Sequence, residues 1–280
     1  MVAFSVLGYS VYWYGIFYFV SFIFVYFFLK HLATFAFLDM FPRLKEVLAT
    51  ETEDILLYAV GGVLLGGRLG YILIYDLAYY VAHPLKVFAL HEGGMAFIGG
   101  IIGVIVAVLI FRKVKKLSWK EFWVLFDGVV VIVPLAIILG RLGNYLNQEI
   151  YGIVVDTDIL TSSFGTFLST LNIIHVYPRI DDLPRFNTNL IAMIFEGGII
   201  FIVMLGLCIQ RLKYWVKNDK IFPGVLSGVF LVLYSFFRFF IEYLRQDSQA
   251  EFVYGLTKSQ WFFVVFFVLG IMVIWRSKRR

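Results

Sequence analysis

The chain has one cysteine, Cys208, in 280 residues. That excludes an intramolecular disulfide and any cysteine-based metal site. Cys208 lies in an apolar run and reads as a small buried residue. Charge is also scarce. Only 15% of the residues are Asp, Glu, Lys or Arg, where a soluble domain carries about a quarter. With 61% hydrophobic residues and many long apolar runs, a soluble globular protein is excluded in favour of a polytopic membrane protein. The N-terminus lacks the basic segment of a secretory signal, so the first apolar run reads as a retained span. No lysine occurs in the last apolar run, which excludes a receptor carrying retinal on a lysine there. No Gly-x-Ser-x-Gly occurs on a span, which removes the sequence signal of a serine hydrolase of that kind.

Hydropathy predicts an all-α protein of seven transmembrane helices, near Val11–Leu29, Ile55–Val81, Gly93–Phe111, Phe122–Asn144, Leu190–Gln210, Phe222–Tyr243 and Trp261–Trp275. The length suits one membrane domain, residues 1–280, with a modest extramembrane insertion at residues 151–189. The net charge of +5 says less than its placement. Lys30, Arg43 and Lys45 follow the first span. Arg112, Lys113, Lys115, Lys116 and Lys120 follow the third. Arg211, Lys213, Lys217 and Lys220 follow the fifth, and Arg276, Lys278, Arg279 and Arg280 the seventh. The opposite loops hold only Lys86, Arg179, Arg185 and Lys258, besides arginines near span ends. Basic residues gather in cytoplasmic loops, so the N-terminus is expected outside and the C-terminus inside. This placement also speaks against nucleic-acid binding. Residues 151–189 are then expected to form an outward-facing cap. The paired glycines at Gly61-Gly62, Gly66-Gly67 and Gly99-Gly100 read as sites of close helix packing.

Against that background the run from Gly140 to Glu149 is anomalous. It places Arg141, Asn144, Asn147, Gln148 and Glu149 at the end of a span. A charge at that depth costs several kcal/mol, on the order of 3, unless it is paired or faces a polar cavity. Arg68 sits in a second Gly-Arg-Leu-Gly, inside another span. Arg238, Glu242 and Arg245 follow i, i+4, i+7, one stripe of a helix. Orientation brings Arg141, Asn144, Arg238, Glu242, Arg245 and Tyr14 to the outer half of the membrane. Guanidinium groups bind phosphate bidentately and stabilise a phosphate leaving group. The outer leaflet supplies phospholipid. A lipid-moiety transferase fits these groups, and so does a lipid flippase or anion transporter.

The motifs themselves carry a resemblance. Trp13-Tyr14-Gly15, Gly67-Arg68-Leu69-Gly70-Tyr71, the run from Gly93 to Gly100, Asp127, the run from Gly140 to Gly152, and Phe237-Arg238-Phe239 with Glu242 and Arg245 together resemble the bacterial prolipoprotein diacylglyceryl transferases. The run from Gly140 resembles the family signature Gly-Arg-Ile-Gly-Asn-Phe-Ile-Asn-Gly-Glu, and the likeness covers nearly the whole chain. It implies transfer of the diacylglyceryl group of phosphatidylglycerol to the lipobox cysteine thiol of a prolipoprotein. Glycerol phosphate would leave, with no metal and no other cofactor, in the cytoplasmic membrane of a bacterium. It implies that Arg141 and Arg238 hold the phosphate and that Arg68 and Arg245 help bind the lipid. Asn144 would donate to the headgroup, Glu149 and Glu242 would orient arginines or relay a proton, and Tyr14 would donate a hydrogen bond. Membrane lipid and signal peptides would be its partners, and the protein is expected to be a monomer.

Two departures stand out. The family motif in the third span carries a histidine as base toward the thiol, and this chain has Ile98 there. Isoleucine cannot take a proton. The run from Pro184 to Ala192 replaces the family's Arg-His-Pro-Ser-Gln-Leu-Tyr-Glu, keeping only Arg185 and Leu190. His91 lies seven positions before Ile98, roughly 10 Å away if helical. His83 and His175 are further candidates in loops. An arginine field that raises the thiolate fraction is a fourth source of reactivity. Ile98 equally admits a relative that binds phospholipid or signal peptide without transfer.

Overall fold

The computed structural model describes residues 2–6, 9–89, 94–218, 222–246 and 252–279. It opens with a hairpin, β1 (Val2–Val6) and β2 (Tyr9–Tyr12), that leads into α1 (Trp13–Leu32). Tyr12 therefore belongs to a strand, and the helix begins at Trp13, two residues later than the expected start at Val11. Next come α2 (Pro42–Thr50), α3 (Thr52–Tyr75) and α4 (Leu77–Ala82). The second span, expected to reach Val81, breaks at Asp76 because the chain leaves helical geometry there. α5 (Phe97–Val114) and the long α6 (Trp119–Asn147) follow.

The insertion at residues 151–189 folds as α7 (Thr157–Thr161), α8 (Ser163–Thr170) and the antiparallel pair β3 (Ile174–Val176) and β4 (Pro184–Phe186). The chain re-enters helix at α9 (Thr188–Ala192), passes through a π-helical turn at Met193–Ile199, and continues as α10 (Ile200–Asn218). α11 (Val225–Ile241), a 3₁₀ turn at Glu242–Leu244, the hairpin β5 (Phe252–Val253) and β6 (Leu256–Thr257), and α12 (Lys258–Lys278) complete it. Among the described residues, six helical segments are long and apolar enough to cross a membrane: Gly15–Leu32, Thr52–Ile74, Trp119–Asn147, Thr188–Trp215, Val225–Leu244 and Lys258–Lys278. The protein is thus a mostly helical, multi-pass membrane protein, with the strands among the described residues confined to three short hairpins.

The chain divides into two compact units. Residues 26–122 form one. Its core is the crossing of α3 and α5, where Gly62, Gly66 and Gly70 on α3 meet Gly99 and Gly103 on α5. A Cβ added at Gly70 would lie 2.6 Å from the Gly99 Cα, so only glycine permits this approach. The polar end of the unit is tied by Lys115, which binds both Glu51 and Asp54. Ser118 and Glu121 exchange hydrogen bonds as a capping box at the start of α6.

The second unit holds residues 1–25 and 123–280. α11 and α12 cross at Gly228 and Gly270, where an added Cβ on either would lie 2.8 Å from the other's carbonyl oxygen. Thr257 and Gln260 cap α12, and Gln260 Nε2 donates to the Phe239 carbonyl at 3.3 Å. The N-terminus of α11 is capped from another helix. Asp127 accepts from Gly224 N, Ser227 N and Ser227 Oγ, each at 2.7 Å. A buried carboxylate on a helix N-terminus satisfies amides left without intrahelical partners and complements the helix dipole.

Candidate active site

Five ionic side chains of the second unit alternate in sign along one connected chain. Arg141, in the last turns of α6, places Nη2 3.0 Å from Glu196 Oε2. Arg238, near the end of α11, places Nη1 3.5 Å from the other oxygen of Glu196. Its Nη2 lies 3.1 Å from Glu242 Oε2. Arg245 Nη1 lies 3.4 Å from Glu242 Oε1. Glu196 is fully buried and Glu242 nearly so, while the Arg245 side chain keeps 24% exposure. The chain therefore runs from an enclosed carboxylate to a partly open guanidinium. Tyr234, one turn before Arg238, completes the cluster, with Arg141, Glu196 and Arg238 all acting on its hydroxyl.

The local fold explains how these groups meet. Arg238 and Glu242 are four apart, so successive helical turns bring them together. Glu196 sits in the π-helical turn, whose extra residue re-aims the side chains around it. That turn packs closely on α6, for a Cβ at Gly197 would meet the Ile138 side chain. The signature then ends in a strained corner. Gln148 and Ile150 adopt left-handed backbone, with φ of 59° and 54°. A β-branched residue there is an outlier, and such strain costs about 1–3 kcal/mol. The corner is held from α9 and its cap. Thr188 Oγ1 donates to the Ile150 carbonyl at 2.5 Å, and Asn189 Nδ2 donates to the Glu149 carbonyl at 2.8 Å. Gly152 then pairs with Arg245 backbone to backbone, where a Cβ would lie 2.8 Å from the Leu244 carbonyl.

The remaining candidates fall as follows. Asn144 is buried on α6, and its carbonyl accepts from Glu149 N at 2.9 Å. The Glu149 side chain belongs to an exposed residue just beyond α6. The carboxylate bound to Arg141 is Glu196, which the sequence reading did not single out. Tyr14 and Ile98 occupy the first turns of α1 and α5, and their side chains, like all of His91, lie outside the described residues. Arg68 belongs to the first unit. Its guanidinium donates to the carbonyls of Lys86 (2.5 Å), Val87 (2.9 Å), Ala89 (3.2 Å) and Gly94 (3.2 Å), and it stacks over Tyr80 at 5.1 Å. It thereby clamps both sides of the connection leading into α5. Arg185 clamps the insertion in a similar way, through Asp181, the Gly152 carbonyl and the Tyr151 ring. Its side-chain bonds to Asp181 hold that carboxyl below the usual range. Among the described residues no group of three or more His, Cys, Asp or Glu is placed to hold a metal ion.

Beside Gly140, residues Phe17, Tyr18, Ser21, Phe22, Val25 and Ala136 line an apolar cleft of about 200 Å³ between α1 and α6. A slot suited to hydrocarbon thus lies one residue along the chain from a cationic group suited to phosphate.

Comparison with known proteins decides between the readings that this geometry leaves open. The family model described as prolipoprotein diacylglyceryl transferase matches residues 1–276. The chain belongs to the prolipoprotein diacylglyceryl transferase family. Its relatives include the phosphatidylglycerol–prolipoprotein diacylglyceryl transferases of Cupriavidus metallidurans (35% identical, 82% of this chain and 77% of the relative) and Bordetella parapertussis (36% identical, 79% and 75%). That of Hydrogenovibrio crunogenus is 34% identical over 81% of this chain and 78% of its own. Within this diacylglyceryl transferase the sequence reading missed Glu196 and Tyr234. Glu196 was detectable as a carboxylate inside the fifth apolar run. Tyr234 carried only a spacing signal, one turn before Arg238.

Proposed function

We propose that this chain transfers the diacylglyceryl group of phosphatidylglycerol to the lipobox cysteine thiol of prolipoproteins, the first step of lipoprotein maturation. The observation that carries the reading is the alternating chain from Arg141 through Glu196, Arg238 and Glu242 to Arg245. Three guanidiniums against two carboxylates leave one positive charge, which matches the single negative charge of a phosphodiester. Arg141 and Arg238 hold the phosphate and stabilise the charge that builds on the departing oxygen. Arg245, the more open end, receives the headgroup. Asn144 donates to it, Glu196 and Glu242 set the arginines, and Tyr14 supplies a hydrogen bond. The cleft beside Gly140 takes acyl chain. Arg68 contributes by fixing the connection before α5.

Seven spans form one membrane domain of the bacterial cytoplasmic membrane, α5 joining the six segments above as the third in chain order. The N-terminus lies outside and the C-terminus inside. The insertion at residues 151–189 caps the outer face, where signal peptides arrive. The loop charges support that orientation.

The reaction is a displacement at carbon. The thiol loses its proton, sulfur attacks the glycerol carbon bearing the phosphate, and the carbon–oxygen bond breaks with its electron pair going to glycerol phosphate. Reconstitution with phosphatidylglycerol and a lipobox peptide tests it. The thioether-linked product and free glycerol phosphate are expected, and Arg141→Ala is expected to lower turnover about 10²–10³-fold. Lipid binding without product from the unaltered protein would instead support a binding role.

A further inference from the structure

The thiol proton of the proposed reaction needs a destination, and Ile98 cannot take it. His175 occupies a built site within the second unit. It stands on β3, in a ring of three mutually bonded side chains. Asn172 Oδ1 lies 2.8 Å from His175 Nδ1, Asn172 Nδ2 donates to Tyr145 Oη at 3.2 Å, and Tyr145 Oη faces His175 Nε2 at 3.4 Å. The amide that donates to Tyr145 presents its oxygen to Nδ1. That arrangement puts the imidazole proton on Nδ1 and the free lone pair on Nε2, toward the tyrosine. Asn172 reaches this position from left-handed backbone, φ 58°, a conformation asparagine tolerates. Tyr177 and Tyr151 wall the group, with ring centroids 4.9 Å apart for His175–Tyr177 and 5.8 Å for Tyr151–Tyr177.

Two connections join this group to the arginine chain. Tyr145 lies four residues after Arg141, on the same face of α6 about 6 Å further along. The backbone carbonyl of Tyr151 accepts from Gln246 N at 3.1 Å, and Gly152 pairs with Arg245 backbone to backbone. These backbone pairs tie the wall of the ring to Arg245, the open end of the ionic chain.

We propose that Tyr145, His175 and Asn172 form the proton relay for the lipobox thiol. The proposal rests on the transferase reading above. Tyr145 is the catalytic residue, since its hydroxyl meets the thiol. His175 and Asn172 act through it as positioning residues. The thiol proton passes to Tyr145 Oη as the tyrosine's own proton moves to His175 Nε2. Sulfur attacks the glycerol carbon, the carbon–oxygen bond breaks, and glycerol phosphate leaves with the electron pair. The proton on His175 then returns to the phosphate that leaves, and the relay is reset.

Burial pushes the His175 pKa below its usual 6.5, so the ring is neutral near pH 7 and able to accept. Burial also raises the Tyr177 hydroxyl to about 12, so that neighbour stays protonated. Arg185, opposite His175 across the β3–β4 pair, is the charged group on that strand, and it is held by Asp181.

The test compares the unaltered protein with Tyr145→Phe, His175→Gln and His175→Ala, each checked for folding by thermal unfolding in detergent. Turnover of the unaltered protein should fall as pH drops through a pKa below 6.5. Tyr145→Phe should lower turnover about 100-fold. His175→Gln should lower it at least about tenfold and abolish the acid limb. Added imidazole should restore part of the turnover of His175→Ala. A flat profile in the unaltered protein over pH 5–7.5 would overturn the relay. So would variants within twofold of the unaltered rate, or losses that track lowered stability with the acid limb intact and no imidazole response. These outcomes leave the transferase reading standing, whereas absence of product from the unaltered protein overturns both.

Discussion

Glu196 places one carboxylate between two guanidinium groups, Arg141 and Arg238, with no access to solvent. Removing one partner of a buried ionic set leaves an uncompensated charge, at a cost of about 3–5 kcal/mol. Glu196→Gln is therefore expected to lower the thermal midpoint in detergent well below that of the unaltered protein. Turnover should fall in parallel, because Arg141 and Arg238 lose the group that spaces them. An unchanged midpoint would show that the carboxylate is not holding the arginines. Arg141→Lys tests a different property. Lysine keeps the charge but not the planar fork, so turnover should fall about tenfold or more while folding is retained.

At the scale of elements, backbone proximity and capping set the architecture. The α3–α5 crossing depends on glycines that face one another. Gly70→Val would drive a Cβ into the Gly99 backbone, and overpacking of this kind costs about 1–3 kcal/mol. A lowered unfolding midpoint is expected, and a midpoint unchanged within error would mean that the crossing is looser than described. Asp127 acts at the start of another helix. Asp127→Ala should destabilise by about 1–2 kcal/mol through loss of the cap on α11, while leaving the affinity for phosphatidylglycerol intact. A selective loss of lipid affinity would place Asp127 in the site instead. The π-helical turn belongs to this scale too. It cannot be read from apolar periodicity over seven residues, which is why Glu196 was not assigned to the arginine cluster before the structure.

At the scale of the whole molecule, the asymmetry of loop charge implies a definite orientation. A green fluorescent reporter fused after residue 280 should fluoresce, since it folds in the cytoplasm, and a cysteine introduced at Thr166 should react with membrane-impermeant reagents from outside. A dark C-terminal fusion with a shielded Thr166 position would reverse the assignment. Division into two units adds a second consideration. The ionic chain and the His175 ring both belong to residues 1–25 and 123–280, whereas Arg68 and Ile98 belong to residues 26–122. The contacts of the first group therefore lie inside one compact body.

Several properties followed from the sequence alone. Apolar runs of membrane length give the helical class, because unsatisfied backbone is excluded from hydrocarbon. Among the described residues, six helical segments of membrane length, in α1, α3, α6, α9 to α10, α11 and α12, fall where hydropathy predicts spans. Local spacing gave the Arg238–Glu242 pair, and short motifs gave the family. Tertiary structure decided what depends on residues far apart in the chain. Glu196 meets Arg141 across 55 residues, and His175 meets Tyr145 across 30. Periodicity reports the neighbours along one helix, while an ion pair or a proton relay between segments depends on how separate helices and a strand pack. Packing alone brought a buried glutamate to two arginines and a histidine of the insertion to a tyrosine of α6.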